Sequence, residues 1–366
     1  MKRLKIAIII PILATLFSCN RTDFSKPEEV LKGYRTLSAE NKSEILYNDF
    51  ISSKSKEYVT KDEFVKAKTM PDSIRNSTKI LESNISSIPI DVNNPTYRRY
   101  KVDEKYIFKT DTLYGCYYYT LINENGKWKV IWPGTLLDLA SNQYSNGNYS
   151  AERKTLEKAI EIEPFSGRAY NMLAWSYLRD NSLSHSEWDN GVVKNAKYAI
   201  TLEEDNPENY NTLASYYSEI GNNDLAIQNL ERGLSFCQNK EDKITFYSNL
   251  ASSYLTVQNF NKGEDYIKKS IEINNKNAFV WFIYGNLMMA QNNYLQAKEY
   301  YEKALEQDKM ENALQGKLYF AYAYCCSYNK NNEKALDYVN KALDIEPDNK
   351  AYQFLYNQIK NNENHE

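Results

Sequence analysis

Large apolar side chains recur every three to four residues through most of the chain from residue 136 onward. In ENYNTLASYYSEIGNNDLAIQNLERGL, residues 208–234, they follow the i, i+3, i+7 spacing of one helical face. Asn and Gly separate one such run from the next, and both tolerate the left-handed backbone conformation in which helices end. The pattern predicts pairs of short amphipathic helices joined by tight turns.

The helical pattern recurs along the chain at a nearly constant spacing. A small residue stands at one position of each first helix, and successive copies are 34, 40, 37, 34 and 38 residues apart. A small side chain at this position lets the two helices of a pair approach closely. The six small residues are Ala140, Ala174, Ala214, Ala251, Gly285 and Ala323.

Six copies of this unit resemble the tetratricopeptide repeat (TPR), a 34-residue helix–turn–helix. The resemblance covers residues 136–366 and implies an all-α superhelix, an alpha-alpha solenoid in which each repeat contacts its neighbours. The last segment, AYQFLYNQIKNN (residues 351–362), predicts one more helix that caps the hydrophobic face of the final repeat.

Residues 27–135 show a different pattern. Their first part predicts two or three short helices, because Pro27 followed by Glu28 and Glu29 is typical of a helix start. Four later runs are rich in Tyr, Ile and Val and show strand-like alternation. Between the last two runs, Asn125 and Gly126 favour the positive φ angles of a hairpin turn.

Helices followed by a strand meander resemble small lipoprotein domains of the nuclear transport factor two-like, cystatin-like kind. That resemblance implies a curved antiparallel sheet wrapped on helices. The predicted fold class is therefore an α+β N-terminal domain over residues 27–135, followed by an all-α TPR superhelix over residues 136–366.

The N-terminal sequence MKRLKIAIIIPILATLFSCN predicts a targeting segment. A basic start precedes an apolar run from Ile6 to Phe17 that is short for a membrane span and typical of a signal peptide. LFSC resembles the lipobox of bacterial lipoproteins. The resemblance implies a signal peptide over residues 1–18, lipid attachment to Cys19, and a tether over residues 19–26.

Composition and charge exclude some classes of partner. The chain has 366 residues, a formal net charge of −3 and no long block of like charges, so we expect no nucleic-acid binding. The remaining cysteines lack a CxxC pair or a framework spacing and are interpreted as mostly packing residues. These cysteines are Cys116, Cys237, Cys325 and Cys326.

Most catalytic motifs are missing from the sequence. It contains only two histidines, His185 and His365, and has no phosphate-binding glycine motif. We expect no catalytic site, cofactor or metal, although the 48 acidic residues leave carboxylate catalysis open. CYYYT (residues 116–120) and Trp128 either line an open cone in the N-terminal domain or pack its sheet on the helices.

The TPR resemblance also implies which side chains line the concave groove. The groove would be polar in its middle, where Asn contacts a peptide backbone, and aromatic toward its end. The clamp of Lys and Asn used by carboxylate-binding members of the family is not reproduced. The candidate groove residues are Arg168, Asn171, Trp175, Asn211, Ser215, Ser218, Glu219, Asn249, Ser252, Phe282, Asn286, Phe320 and Tyr324, with Tyr328 at a neighbouring slot.

Three functions are compatible with these patterns. The first is a non-catalytic scaffold that is lipid-anchored in the cell envelope, at the outer membrane of a Gram-negative cell, and binds a protein or peptide partner in its groove. The second is a glycan or small-ligand receptor, although starch-utilisation lipoproteins with such repeats are longer and carry large insertions. The third, an enzyme in the N-terminal domain, is disfavoured by the scarcity of histidine.

Overall fold

The computed structural model describes residues 22–89, 96–307 and 312–363. The expected signal peptide and Cys19 lie outside these residues, as does His365. The chain forms two compact units, the first ending at Tyr216 and the second beginning at Tyr217.

Short helices open the first unit. The first begins at Pro27 with Glu28 and Glu29 in its first turn, where carboxylates favour the positive end of the helix dipole. A π-helical turn over Leu46–Phe50 continues the second helix. The helices are α1 (Pro27–Ala39), α2 (Ser43–Ile45), α3 (Ser53–Lys56), α4 (Lys61–Lys68) and α5 (Asp72–Arg75).

A four-stranded antiparallel meander follows, with strand order β1-β2-β3-β4. Asn125 and Gly126 have φ angles of 54° and 81° in the turn between β3 and β4, which confirms the predicted hairpin. Tyr100, Val102 and Leu121 alternate along the strands and are buried against the helices. The strands are β1 (Thr78–Ile88), β2 (Tyr97–Phe108), β3 (Asp111–Glu124) and β4 (Lys127–Val130).

Helices alone form the rest of the described chain. They follow the predicted pairs, and α18 buries Tyr352, Leu355 and Ile359 as the predicted final helix. The helices are α6 (Gly134–Ser145), α7 (Tyr149–Ile162), α8 (Gly167–Arg179), α9 (His185–Leu202), α10 (Pro207–Glu219), α11 (Asn223–Leu234), α12 (Lys240–Thr256), α13 (Phe260–Ile273), α14 (Ala278–Ala290), α15 (Tyr294–Leu305), α16 (Asn312–Tyr328), α17 (Asn332–Ile345) and α18 (Lys350–Glu363).

The small residues of the first helices are buried, as their spacing predicts. At Gly285 the requirement is strict, because an added Cβ would lie 2.2 Å from the ring of Tyr301, which is itself fully buried. Three of the four cysteines, Cys237, Cys325 and Cys326, are buried, whereas Cys116 on β3 is exposed although β2 pairs with its strand at this position.

Tyrosine hydroxyls join successive helix pairs of the second unit. Tyr254 on α12 donates to Glu231 on α11, with 3.0 Å between the oxygens. Tyr284 on α14 donates to Glu264 on α13 at 3.0 Å, and Tyr322 on α16 donates to Glu302 on α15 at 2.7 Å. At each of these steps the first helix of one pair is therefore tied to the second helix of the preceding pair.

Candidate functional site

The candidate groove residues of the first unit are partly engaged by their neighbours. Asn171 accepts a hydrogen bond from the Thr212 hydroxyl at 2.6 Å. The guanidinium of Arg179 lies 5.2 Å from the ring centroid of Trp175, so one face of this half-buried indole is covered. Asn211 is buried, Ser215 is half-buried and Arg168 is exposed. In this unit, mainly Arg168 and one side of Trp175 remain open to a partner.

In the second unit, the polar candidates lie at the surface. Ser218, Glu219 and Ser252 are exposed, and Asn249 is half-buried. All four side chains are polar. They suit contacts with a peptide backbone or with water equally well.

The aromatic candidates of the second unit differ in their exposure. Phe282 is buried in the core next to Tyr301, so little of its ring surface is accessible to a partner. Phe320 is half-buried, with its ring stacked on Tyr352 of α18 at 4.9 Å between centroids. Tyr324 is 37 % exposed, and Tyr328, at the neighbouring predicted position, is exposed further still.

Asn286 is held in one orientation from inside the core. The hydroxyl of Tyr301 donates to its side-chain oxygen at 2.7 Å. Burial raises the pKa of Tyr301, so this hydroxyl stays protonated and remains a donor. This hydrogen bond holds the amide oxygen of Asn286 toward Tyr301. Its NH₂ group then remains as a donor, which contact with a peptide carbonyl requires.

An exposed tyrosine cluster adjoins Tyr324. Tyr294, at the start of α15, packs on Tyr328 with 4.0 Å between ring centroids and on Tyr324 with 6.0 Å. Tyr328 is 62 % exposed, and Leu295, which follows Tyr294 in the sequence, is also 62 % exposed. We call Tyr294, Tyr324 and Tyr328 the tyrosine surface. Sequence reasoning missed Tyr294 because it lies at the start of a second helix, whereas the groove prediction considered only first helices.

Phe354 on α18 is a second residue that the sequence interpretation missed. It is 71 % exposed, although its helix is packed against the preceding pair through Tyr352 and Leu355. Phe354 follows Phe320 by 34 residues, which is the period of the repeat. The same periodicity that selected Phe320 would therefore have selected Phe354 if the final helix had been read as a half-repeat.

A buried polar network joins the sheet to the first helix pairs within the first unit. The Arg99 guanidinium on β2 donates to the Leu202 carbonyl at 2.8 Å and lies 3.5 Å from a carboxylate oxygen of Glu203. Beside it, Asp205 accepts from Lys101 and from the hydroxyl of Tyr118. The outward face of the sheet thus rests on the ends of helices, and CYYYT divides between this junction and the helix-covered face.

No metal site or membrane span is found in the parts of the chain that the structure describes. Residues 22–89, 96–307 and 312–363 contain no group of three His, Cys, Asp or Glu side chains that could hold a metal ion. Within the same residues, no helix combines the length and the apolar character needed to cross a bilayer.

Comparison with known families identifies the helical pairs. The sequence models of the tetratricopeptide repeat match residues 207–240, 244–277, 278–309 and 316–349. Within residues 207–349, the helical array therefore contains four tetratricopeptide repeats. In these TPR units the hydroxyls of Tyr284 and Tyr322 both stand at the seventh position of a repeat, and the rings of Phe282 and Phe320 both stand at the fifth.

Several solved TPR structures are similar to this chain. PilF of Pseudomonas aeruginosa is 17 % identical, with a TM-score of 0.49 over 62 % of this chain and 97 % of its own. PilW, a type IV pilus biogenesis factor, is 13 % identical, with a TM-score of 0.48 over 61 % and 97 %. YrrB, a TPR protein with an unusual peptide-binding site, is 20 % identical, with a TM-score of 0.34 over 54 % and 96 %. No curated protein matches the chain. At these scores the similarity supports no functional assignment.

Proposed function

We propose that the chain is a non-catalytic scaffold whose TPR array binds an extended, apolar-rich segment of a protein partner. The observation that carries the proposal is the tyrosine surface, in which large rings remain exposed on an otherwise well-packed unit. Exposed aromatic clusters on soluble domains mark interaction sites, and tyrosine is enriched among the residues that dominate binding energy.

The oriented amide of Asn286 complements this aromatic surface. An extended peptide offers a carbonyl at every residue, and a donor whose orientation is fixed loses little entropy on binding. Met289 and Ser327, which stand at the twelfth position of their repeats, are uncharged like Asn286, which favours an internal apolar segment over a peptide carboxylate. This function needs neither a cofactor nor a metal.

A binding measurement with defined peptides tests the groove. A displayed library of random peptides would be selected on the purified chain, and the affinity of the enriched peptides would be measured by calorimetry. Replacing Tyr324 and Tyr328 by alanine is expected to weaken binding at least about tenfold, because each ring contributes on the order of 1–2 kcal/mol at a binding hot spot.

The matched control is Tyr58→Ala, which removes a tyrosine that is 41 % exposed in the first unit. It should leave the affinity unchanged. Equal affinities for the wild type and the Tyr324/Tyr328 variant would remove the tyrosine surface from the proposal. Enrichment of no peptide, together with binding of oligosaccharides, would favour the receptor function instead.

We also propose that Cys19 carries the lipid that anchors the scaffold in the cell envelope. The support is the LFSC sequence that follows a basic and apolar leader. Several acyl chains on one cysteine would give stable attachment, since a single chain binds membranes only marginally.

Metabolic labelling with an alkyne fatty acid tests this anchor. The wild type should be labelled and should sediment with membranes, whereas Cys19→Ser should lose the label and appear in the soluble fraction. Cys116→Ser removes the exposed cysteine of β3 and should keep both properties. Membrane-bound, labelled Cys19→Ser protein would contradict the assignment.

A further inference from the structure

Two carboxylates face one guanidinium in the buried junction between the sheet and the first helix pairs. Arg99 is 3 % exposed, Glu203 is 4 % exposed, and Glu163 at the end of α7 is 9 % exposed. The charges of Arg99 and Glu203 both act on the pKa of the Glu163 carboxyl, the first lowering it and the second raising it. If both carboxylates were ionised, one buried negative charge would lack a partner, and such a charge is costly in a protein interior.

The two carboxylates have unequal surroundings. Glu203 accepts hydrogen bonds from the backbone N–H groups of Gly167 and Arg168 and from the side chain of Asn206. For Glu163, no side-chain hydrogen bond or ion pair within 4 Å is found among the described residues, and the shared Arg99 acts on its charge from a longer distance. The proton therefore belongs on Glu163, and burial raises the pKa of its carboxyl to about 7.

The other charged and titratable groups around Glu163 do not supply the missing charge. On β2 the Lys101 ammonium already pairs with Asp205 and Asp103. On β3 the Tyr118 hydroxyl donates to Asp205 and stays protonated, because burial raises its pKa. Tyr198 of α9 also lies near Arg99 and carries no cationic group. Protonation of Glu163 therefore leaves Arg99 and Glu203 as a matched pair of buried charges.

We propose that this junction is a proton-controlled latch, in which protonated Glu163 lets the sheet dock on the ends of α7 and α9 and ionised Glu163 loosens that contact. The sign follows from linkage. A carboxyl whose pKa is higher in the docked state than in the open state stabilises docking at low pH. The stabilisation is lost as the pH rises from the ordinary glutamate value of 4.5 to about 7.

Hydrogen–deuterium exchange at residues 97–103 and 116–120 measures the opening of this junction. After correction for the intrinsic exchange rate, protection of these strands in the wild type should fall with rising pH, approaching about tenfold for each unit between pH 5 and pH 7. Glu163→Gln keeps the neutral form at every pH, so its protection should be nearly constant across this interval.

Two further variants make the result specific. Glu152→Gln removes another buried carboxylate of α7, whose pKa burial raises to about 7 beside Ser176 and Arg153 rather than beside the sheet. It should leave the pH dependence of strand exchange unchanged. Glu203→Gln removes the like charge, so the transition should move to lower pH. This variant also tests the latch if Glu163→Gln does not fold.

Constant protection of the wild-type strands between pH 5 and pH 7 would overturn the proposal. The same pH slope in Glu163→Gln as in the wild type would also overturn it.

Discussion

Replacing Arg99 by methionine is expected to lower the free energy of unfolding of the first unit by about 3–5 kcal/mol at neutral pH. The change keeps most of the side-chain length but removes the cation that faces Glu203 and the donor to the Leu202 carbonyl. A buried carboxylate without its partner is costly, and water cannot reach it, since both side chains of the pair are at most 5 % exposed.

Urea unfolding followed by tryptophan fluorescence measures this loss. Four of the five tryptophans, at positions 128, 132, 175 and 188, lie in the first unit, so the signal reports mainly on that unit. Adding Glu163→Gln and Glu203→Gln to Arg99→Met should restore most of the stability, because no buried charge then remains. Arg98→Met, at the exposed neighbouring position, should cost no more than about 1 kcal/mol. If Arg99→Met lost no more stability than Arg98→Met, the buried contacts of Arg99 would not stabilise the first unit as expected.

Gly285→Ala is expected to destabilise the second unit although alanine is the better helix former. The added Cβ would lie 2.2 Å from the Tyr301 ring, which is completely buried and is held by its hydrogen bond to Asn286. Overpacking of this kind costs about 1–3 kcal/mol, and the helical preference for alanine returns at most about 1 kcal/mol. Differential scanning calorimetry should show the second unit melting at lower temperature.

Gly316→Ala is the matched control for Gly285→Ala. Gly316 lies in α16, and a Cβ there would meet its nearest neighbours at an ordinary distance of 3.5 Å. This variant should therefore gain up to about 1 kcal/mol from helix propensity alone. If both variants had the same melting temperature, close packing at Gly285 would not be the reason for its glycine.

The sequence predicted the parts of the fold that are periodic or local. The spacing of Ala140, Ala251 and Gly285 predicted the positions of the helix pairs, because the two helices of every repeat approach closely at the same small residue. Asn125 and Gly126 predicted their turn because positive φ angles select these residues. In both cases, the residues that carry the signal are close in sequence to the helix contact or the turn that they predict.

The junction around Arg99 could not be predicted in this way. Arg99 and Glu203 are about 100 residues apart, and the repeat pattern of the helices gives no sign of a contact with an arginine of the sheet. Phe282 shows a second limit. Its repeat position suggested an open groove, but the ring packs beside Tyr301 and is buried, since local side-chain volumes decide how far a repeat position is exposed.

The hydrogen bonds between tyrosines and glutamates would let the pair formed by α14 and α15 be duplicated or lost in evolution without breaking the contacts on either side of it. The pair formed by α14 and α15 carries Tyr284 for the preceding pair and Glu302 for the following one. A tandem duplication of such a pair would therefore create its new contact at once, without a compensating mutation. Loss of the same pair would bring Tyr322, at the same repeat position as Tyr284, to Glu264. An array joined in this way can change in length while every joint keeps its donor and its acceptor.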